Sequence, residues 1–246
     1  MNWRIRTRED KRESNVSDIG PGLPPEDHFS AEALKEEYYD ELLKEYGPAR
    51  ELEGSLNILL VADLHGRSAW EDPFSKVSGH YDACFVLGDL SSHDLDVTIN
   101  KVDCPIYGIY GNHDERGMLE RFGIPDINET VIEINGIRIA GLEGSPLYNL
   151  GRIGYTQEDC SEIMKHLPEA DLLLSHASPF DPTCNDGVHC GFKGVSEYIY
   201  RNHVPYCFYG HNHDSTAALL SNGCWAQCIY GVEDVVIGNK RYPSIP

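Results

Sequence analysis

The 246-residue chain is 41% hydrophobic and 24% charged, ordinary globular composition with room for one large core or two small ones. Its 40 acidic and 20 basic side chains give a formal charge of -20. That field speaks against non-specific nucleic-acid binding and against anionic membrane surfaces, although a bound cation reverses it locally for a small anionic substrate. The 8 cysteines run from Cys84 to Cys228 without a CxxC pair, the segment "MNWRIRTREDKRES" has no apolar signal core, and no apolar run reaches membrane-spanning length. A cytoplasmic protein with reduced, mostly buried thiols is the expectation. Cys224, Cys228 and the Cys184–His189–Cys190 stretch lack the spacing of a zinc ribbon or finger.

Residues 1–54 read as an N-terminal extension. "TREDKRESNVSDIGPGLPPEDHFS" is polar and rich in Pro and Gly, hence a loop or disordered arm. Ser30 is placed to cap a helix through "AEALKEEYYDELLKEY", about 31–46, which Gly47-Pro48 ends. Leu34, Tyr38, Leu42 and Tyr46 recur every four residues and predict its docking face. Residues 55–246 read as the main domain. "LNILLVADLHG", "YDACFVLGDL", "CPIYGIYGNHD", "ADLLLSHASP" and "PYCFYGHNHD" are apolar runs of the kind that form strands buried on both faces. Helical stretches separate them: "DLDVTINKV", "TQEDCSEIMKHL" and "GFKGVSEYIYRNH". "TVIEINGIRIAGL" predicts a hairpin on Asn135-Gly136, and the tail "AALLSNGCWAQCIYGVEDVVIGNKRY" predicts further antiparallel strands. The class is α/β with a mixed sheet and C-terminal hairpins.

Each of the five apolar runs ends in a polar cluster: Asp63-Leu64-His65, Gly88-Asp89, Gly111-Asn112-His113-Asp114, Ser175-His176 and Gly210-His211-Asn212-His213. Functional groups of α/β sheets collect beyond the carboxyl ends of strands, so these residues can share one crevice. Carboxylates and imidazoles suit zinc, manganese, iron or nickel, and the donors exceed what one ion needs. Asp63 and His65, two apart, point to the same face if they lie on a strand. Asp89 has two oxygens with which to bridge two ions, and neutral Asn112 can donate its carbonyl oxygen. Gly88, Gly111 and Gly210 each precede a proposed ligand and permit a sharp exit.

The ordered set D-x-H, G-D, G-N-H-D, H, G-H-x-H resembles the calcineurin-like metallophosphoesterase superfamily over about 55–215. The resemblance implies a four-layer β-sandwich of two mixed sheets flanked by helices, and a dinuclear centre. Asp63, His65 and His213 would hold one metal, Asn112, His176 and His211 the second, and Asp89 would bridge them. His113 would stand outside, facing the substrate. "GLEGSPLYNLGRIGYT" and "HASPFDPTCNDGVHCGFKGVSEYI" are similar to a bacterial branch of single-domain phosphoesterases.

The expected function is hydrolysis of a small or medium phosphodiester or phosphomonoester. The nucleophile is a hydroxide bridging two divalent metals, with manganese foremost and iron, zinc or nickel as alternatives. His113 is the expected general acid, and Asp114 either orients it or closes the turn. Arg67 and Arg116 either bind phosphate or are solvated surface residues, and His93 and Asp94 are ambiguous. The loop 177–191 with His189 either covers the site or is a polar surface loop. A nuclease, or a non-catalytic scaffold of the same fold, is the alternative. Substrate specificity falls to loops 66–80, 91–100, 143–156 and 177–194, which no motif specifies.

Overall fold

The computed structural model describes residues 31–150 and 152–238. The polar arm and the Ser30 cap lie outside the described residues. In chain order, helix α1 (Ala31–Tyr46) is followed by β1 (Ser55–Ala62), β2 (Ala83–Val86), α2 (Ser92–Lys101), β3 (Ile106–Gly108) and α3 (Met118–Arg121). Then come β4 (Val131–Ile134), β5 (Ile137–Leu142), β6 (Ser145–Pro146), β7 (Gly154–Tyr155), α4 (Gln157–His166) and β8 (Leu172–Ser175). The last elements are α5 (Lys193–Arg201), β9 (Tyr206–Tyr209), β10 (Ala217–Leu219), β11 (Trp225–Cys228) and β12 (Gly231–Gly238).

Two mixed sheets result, one in the order β12-β1-β2-β3, the other β10-β11-β9-β8-β5-β4. The apolar runs divide by alternation. Leu56, Ile58, Leu60, Phe85 and Leu87 meet Ile139, Leu172, Leu174 and Phe208 of the other sheet. Leu59, Val61, Cys84 and Val86 point the opposite way, onto Leu95 of α2 and Leu119 of α3. Ala140, Leu173 and Cys207 likewise pack under Met164 of α4 and Ile199 of α5. Strands covered on both faces must be apolar at every position, which is why the runs are continuous. The architecture is therefore α/β with two mixed sheets between helical layers.

The predicted hairpin forms with Asn135 at φ 51° and Gly136 at φ 80°, both left-handed, as a two-residue type I′ connection requires. The tail departs from expectation. β11 pairs parallel with β9, and β12 crosses to the other sheet to pair antiparallel with β1, so among the described residues of the tail only β10–β11 makes a local antiparallel pair. Short apolar strands carry no mark of direction; register against the neighbours decides it.

Helix α1 ends where Gly47 adopts φ 87° and its N–H returns to the Leu43 carbonyl. Its docking face is largely the predicted one, with Tyr38, Leu42 and Tyr46 packed against the core and Tyr39 and Leu43 added to them. Tyr39 is the buried residue, stacked on Tyr200 of α5 with ring centroids 5.8 Å apart, whereas Leu34 is 44% exposed. Tyr39 Oη donates to the Phe180 carbonyl at 2.7 Å, a polar target that apolar periodicity does not register.

The segment joining α1 to β1 is held by ions. Asp171 accepts from the Arg138 backbone N–H at 2.9 Å and from its guanidinium at 3.1 Å, and pairs with Arg50 at 2.9 Å. Burial opposes the carboxylate charge, but the hydrogen bonds from Arg138 and the charges of Arg50 and Arg138 outweigh it and hold the pKa below its ordinary value. With the folded pKa below the unfolded one, this contribution is complete above the ordinary carboxylate range and is lost as pH falls through the folded value. Denaturation of Asp171→Asn is therefore expected at lower denaturant than wild type at neutral pH, with the two converging in acid. A difference independent of pH would remove Asp171 from the acid sensitivity.

Candidate metal centre

Seven of the polar residues expected at strand ends lie at the carboxyl edge of the two sheets. Asp63 and His65 follow β1, Asp89 follows β2, Asn112 follows β3, His176 follows β8, and His211 and His213 follow β9. The first sheet thus contributes four and the second three. The halves are tied across the gap: Asp63 Oδ2 accepts from the His211 backbone N–H at 2.8 Å, and His176 Nδ1 donates to the Leu87 carbonyl at 2.7 Å.

The reason expected for pairing Asp63 with His65 needs correction. β1 stops at Ala62, and both residues lie past it in left-handed backbone, at φ 53° and 47°. Among the described residues, eight non-glycine positions have positive φ, and five are Asp63, His65, Asp89, His211 and His213. Each such conformation costs about 1–3 kcal/mol and persists where surroundings impose it, a pattern that concentrates at functional sites. The glycines act by close approach as well as by φ. A Cβ on Gly88 would stand 2.2 Å from the Gly111 nitrogen, and one on Gly210 would stand 2.5 Å from Asp63 Oδ2. The ligand loops meet backbone to backbone, which brings their side chains to one point.

Asp63, His65, Asp89 and His213 each direct a ligand atom into a group spanning no more than 4.8 Å. His65 Nε2 is 3.0 Å from His213 Nε2 and 3.6 Å from an Asp89 oxygen, and His213 Nε2 is 3.5 Å from an Asp63 oxygen. On the other side of Asp89, the same oxygen is 3.7 Å from His176 Nε2, which is 2.9 Å from Asn112 Oδ1. His211 lies beside His176, ring centroids 5.2 Å apart, with its Nε2 3.2 Å from the Val188 carbonyl.

These donors fit cations. Asp63 Oδ1 and Asp89 Oδ2 are buried and lack a hydrogen-bond donor among the described residues. A lone buried carboxylate oxygen is costly unless a cation faces it. Ligand bonds of about 2.0–2.2 Å set donor–donor edges of about 2.8–3.6 Å, close to the separations here. His176 Nδ1, donating to Leu87, leaves Nε2 as the lone-pair nitrogen toward Asn112 Oδ1, so two acceptors converge unless a positive charge stands between them. The titration directions agree. Burial raises the Asp63 pKa, with Asp89 adding to it; for His176, burial works downward but Asp89 and Asp63 carry the pKa above its usual value. Protons are drawn to where cations would balance the carboxylates.

His113 is exposed at the rim, its ring 5.6 Å from that of His65, and its backbone N–H donates to Asp89 Oδ1 at 2.7 Å. Loss of water around the ring lowers its pKa, and the Arg152 charge acts in the same direction. Asp114 does not pair with it, contrary to one of the two expected roles. Its carboxylate accepts the backbone N–H groups of Asp89, Leu90 and Gly111 at 2.9, 3.0 and 2.7 Å, clipping the second ligand loop to the third. Burial, with Asp89 adding, pushes its pKa up to about 6. Asp94, ambiguous from sequence, is a clip too: it accepts from Gly66 and Ser91 backbone N–H groups and completes the capping box of α2. Arg116 forms a two-pronged pair with Glu143, and Arg67 stacks over Tyr230, 4.3 Å from the ring centroid.

Three neighbours escaped sequence reasoning: Tyr148, whose Oη takes a hydrogen bond from Asn112 Nδ2 at 3.1 Å; Tyr230, stacked on His213 at 5.4 Å; and Arg152 near His113. Tyr148 and Arg152 lie in the stretch "GLEGSPLYNLGRIGYT", which gave neither of them a role, and Tyr230 lies in no motif. The loop 177–191 does approach the centre: His189 stacks on His211, centroids 4.9 Å apart.

Residues 56–215 match the family model described as calcineurin-like phosphoesterase. No curated protein sequence matches the chain. Among solved structures, TT1561 of Thermus thermophilus is similar at 15% identity and TM-score 0.54, covering 72% of this chain and 90% of that one. The phosphopantetheinyl hydrolase PptH of Mycobacterium tuberculosis is similar at 13% identity and TM-score 0.54, covering 76% of this chain and 98% of that one. At such identities the likeness shows the fold alone. Among the described residues no helix is long and apolar enough to cross a membrane.

Proposed function

The chain belongs to the calcineurin-like phosphoesterase family, and from that premise we propose that it is a metal-dependent hydrolase of phosphodiesters or phosphomonoesters. The observation carrying this reading is the pair of buried, donorless carboxylate oxygens on Asp63 and Asp89, each facing imidazole nitrogens. Asp63, His65, His213 and Asp89 would hold one divalent cation; Asn112, His176, His211 and the same Asp89 a second. Two such cations, when bound, supply Lewis-acid stabilisation of phosphate charge and an acidified water.

The protein's own groups do the rest. The Leu87 carbonyl, accepting a hydrogen bond from Nδ1–H of His176, leaves Nε2 for the cation; the Val188 carbonyl, accepting from Nε2–H of His211, leaves Nδ1. Asp114 and Asp94 hold the loops, so the donors converge before substrate arrives. His113, at the rim, delivers a proton to the departing oxygen. A depressed imidazolium donates more readily, although less of it is protonated at neutral pH. Arg152 offers a nearby charge for a non-reacting phosphate oxygen.

With added manganese, the protein should hydrolyse an aryl phosphate or an aryl phosphodiester, and a chelator should abolish the turnover until metal is restored. Absence of turnover with manganese, iron, zinc and nickel alike would sink the reading. A panel of phosphodiesters, nucleotides, cyclic nucleotides and phosphopeptides then ranks substrates.

A further inference from the structure

The loop after β8 carries a donor cluster of its own. Cys184, Asp186 and Cys190 each present one ligand atom, all within 4.8 Å of one another. Cys184 Sγ lies 3.4 Å from Asp186 Oδ1. Tetrahedral zinc, with bonds of about 2.3 Å to sulfur and 2.1 Å to oxygen, sets a sulfur–oxygen edge of about 3.6 Å and a sulfur–sulfur edge of about 3.8 Å. The cluster has that scale. Cys190 is buried, Cys184 half-buried and Asp186 exposed, so the donors close the inner side and leave the outer side open to water. His189 Nδ1 pairs with Asp186 Oδ2 and so ties the next residue of the loop to the cluster's carboxylate.

We propose that Cys184, Asp186 and Cys190 form a separate zinc-type site that clamps this loop over the main centre. Two thiolates select a softer ion than the imidazole–carboxylate set beside it, so the two sites differ in chemistry as well as place. Each thiol releases its proton to solvent on binding, and affinity rises with pH. The chelate encloses Val188 and His189, the residues whose carbonyl and ring contact His211. The base of the loop is fastened independently by α1, through Tyr39 to Phe180 and through Lys35 to Asp181 at 2.9 Å. Cys224 and Cys228 take no part in the cluster: Cys224 packs in the core near α5, and Cys228 Sγ donates to the Gly210 carbonyl. This site stands or falls apart from the phosphoesterase reading.

The test is cobalt titration of the full, chelator-stripped chain kept reduced. A thiolate-to-cobalt charge-transfer band is expected in the near ultraviolet, removed by zinc. It should vanish in Cys184→Ser and in Cys190→Ser, and persist in Cys104→Ser and in Asp89→Asn, whose lesion lies in the main centre. No band in the reduced wild type overturns the proposal. So does a band that survives both loop substitutions or disappears in Asp89→Asn. A chain that only forms a Cys184–Cys190 disulfide in air and shows no band once reduced overturns it as well.

Discussion

Asp89→Asn should lose metal and turnover together while gaining stability in the stripped protein. One Asp89 oxygen lies 3.6 Å from His65 Nε2 and 3.7 Å from His176 Nε2, so it faces both donor sets. Removing partners that merely orient a metal ligand costs about 10–100-fold in affinity or activity. A shared ligand should cost more than about 100-fold. The opposite sign for stability follows from charge: Asp89 contributes to raising the Asp63 pKa, so neutralising it relieves repulsion between buried carboxylates. An asparagine Oδ1 can still accept from the His113 backbone N–H, which keeps the loop folded. Metal analysis, turnover and denaturation after chelation read the three effects. A variant that keeps both its metal content and its turnover would remove Asp89 from the bridging role.

His113→Ala should behave differently, keeping its metals and losing about 10²–10⁴-fold in turnover, the usual worth of a positioned acid. The ring projects at the rim, while the loop is anchored through the residue's backbone and through Asp114, so truncation should spare the ligands. The loss should depend on the leaving group. An alkyl ester, departing as a strong base, needs the proton; an aryl ester with an acidic phenol barely does. A uniform loss across both ester types would assign His113 to substrate binding instead, and no loss would remove it from the mechanism.

The site was legible in outline because each candidate ligand follows the end of a strand. A buried strand must be apolar throughout, so five apolar runs each closing on Asp, Asn or His stand out in one dimension. What periodicity measures, however, is burial of apolar area. It predicted α1 and three residues of its docking face, Tyr38, Leu42 and Tyr46, but missed Tyr39, which is chosen by a hydrogen bond to Phe180 and a stack on Tyr200. It also could not separate the two roles open to Asp114, since a carboxylate beside an imidazole in sequence need not touch it in space.

The chain's own order of residues determined the class of fold and set Asp, Asn and His at five strand ends, with the chemistry they suit, since these follow from residue type and apolar pattern; which seven of them form the set is what the family resemblance implies. Only the tertiary structure decided how they converge. The left-handed backbone at five of them, the contact of Gly88 with Gly111, and the carbonyls of Leu87 and Val188 that orient two imidazoles arise where loops from different strands meet. The thiols of Cys184 and Cys190 are the sharpest case. Their spacing matches no zinc motif, yet a turn held by Asp186 returns one toward the other, because proximity of donors is a property of the folded backbone and not of distance along the chain.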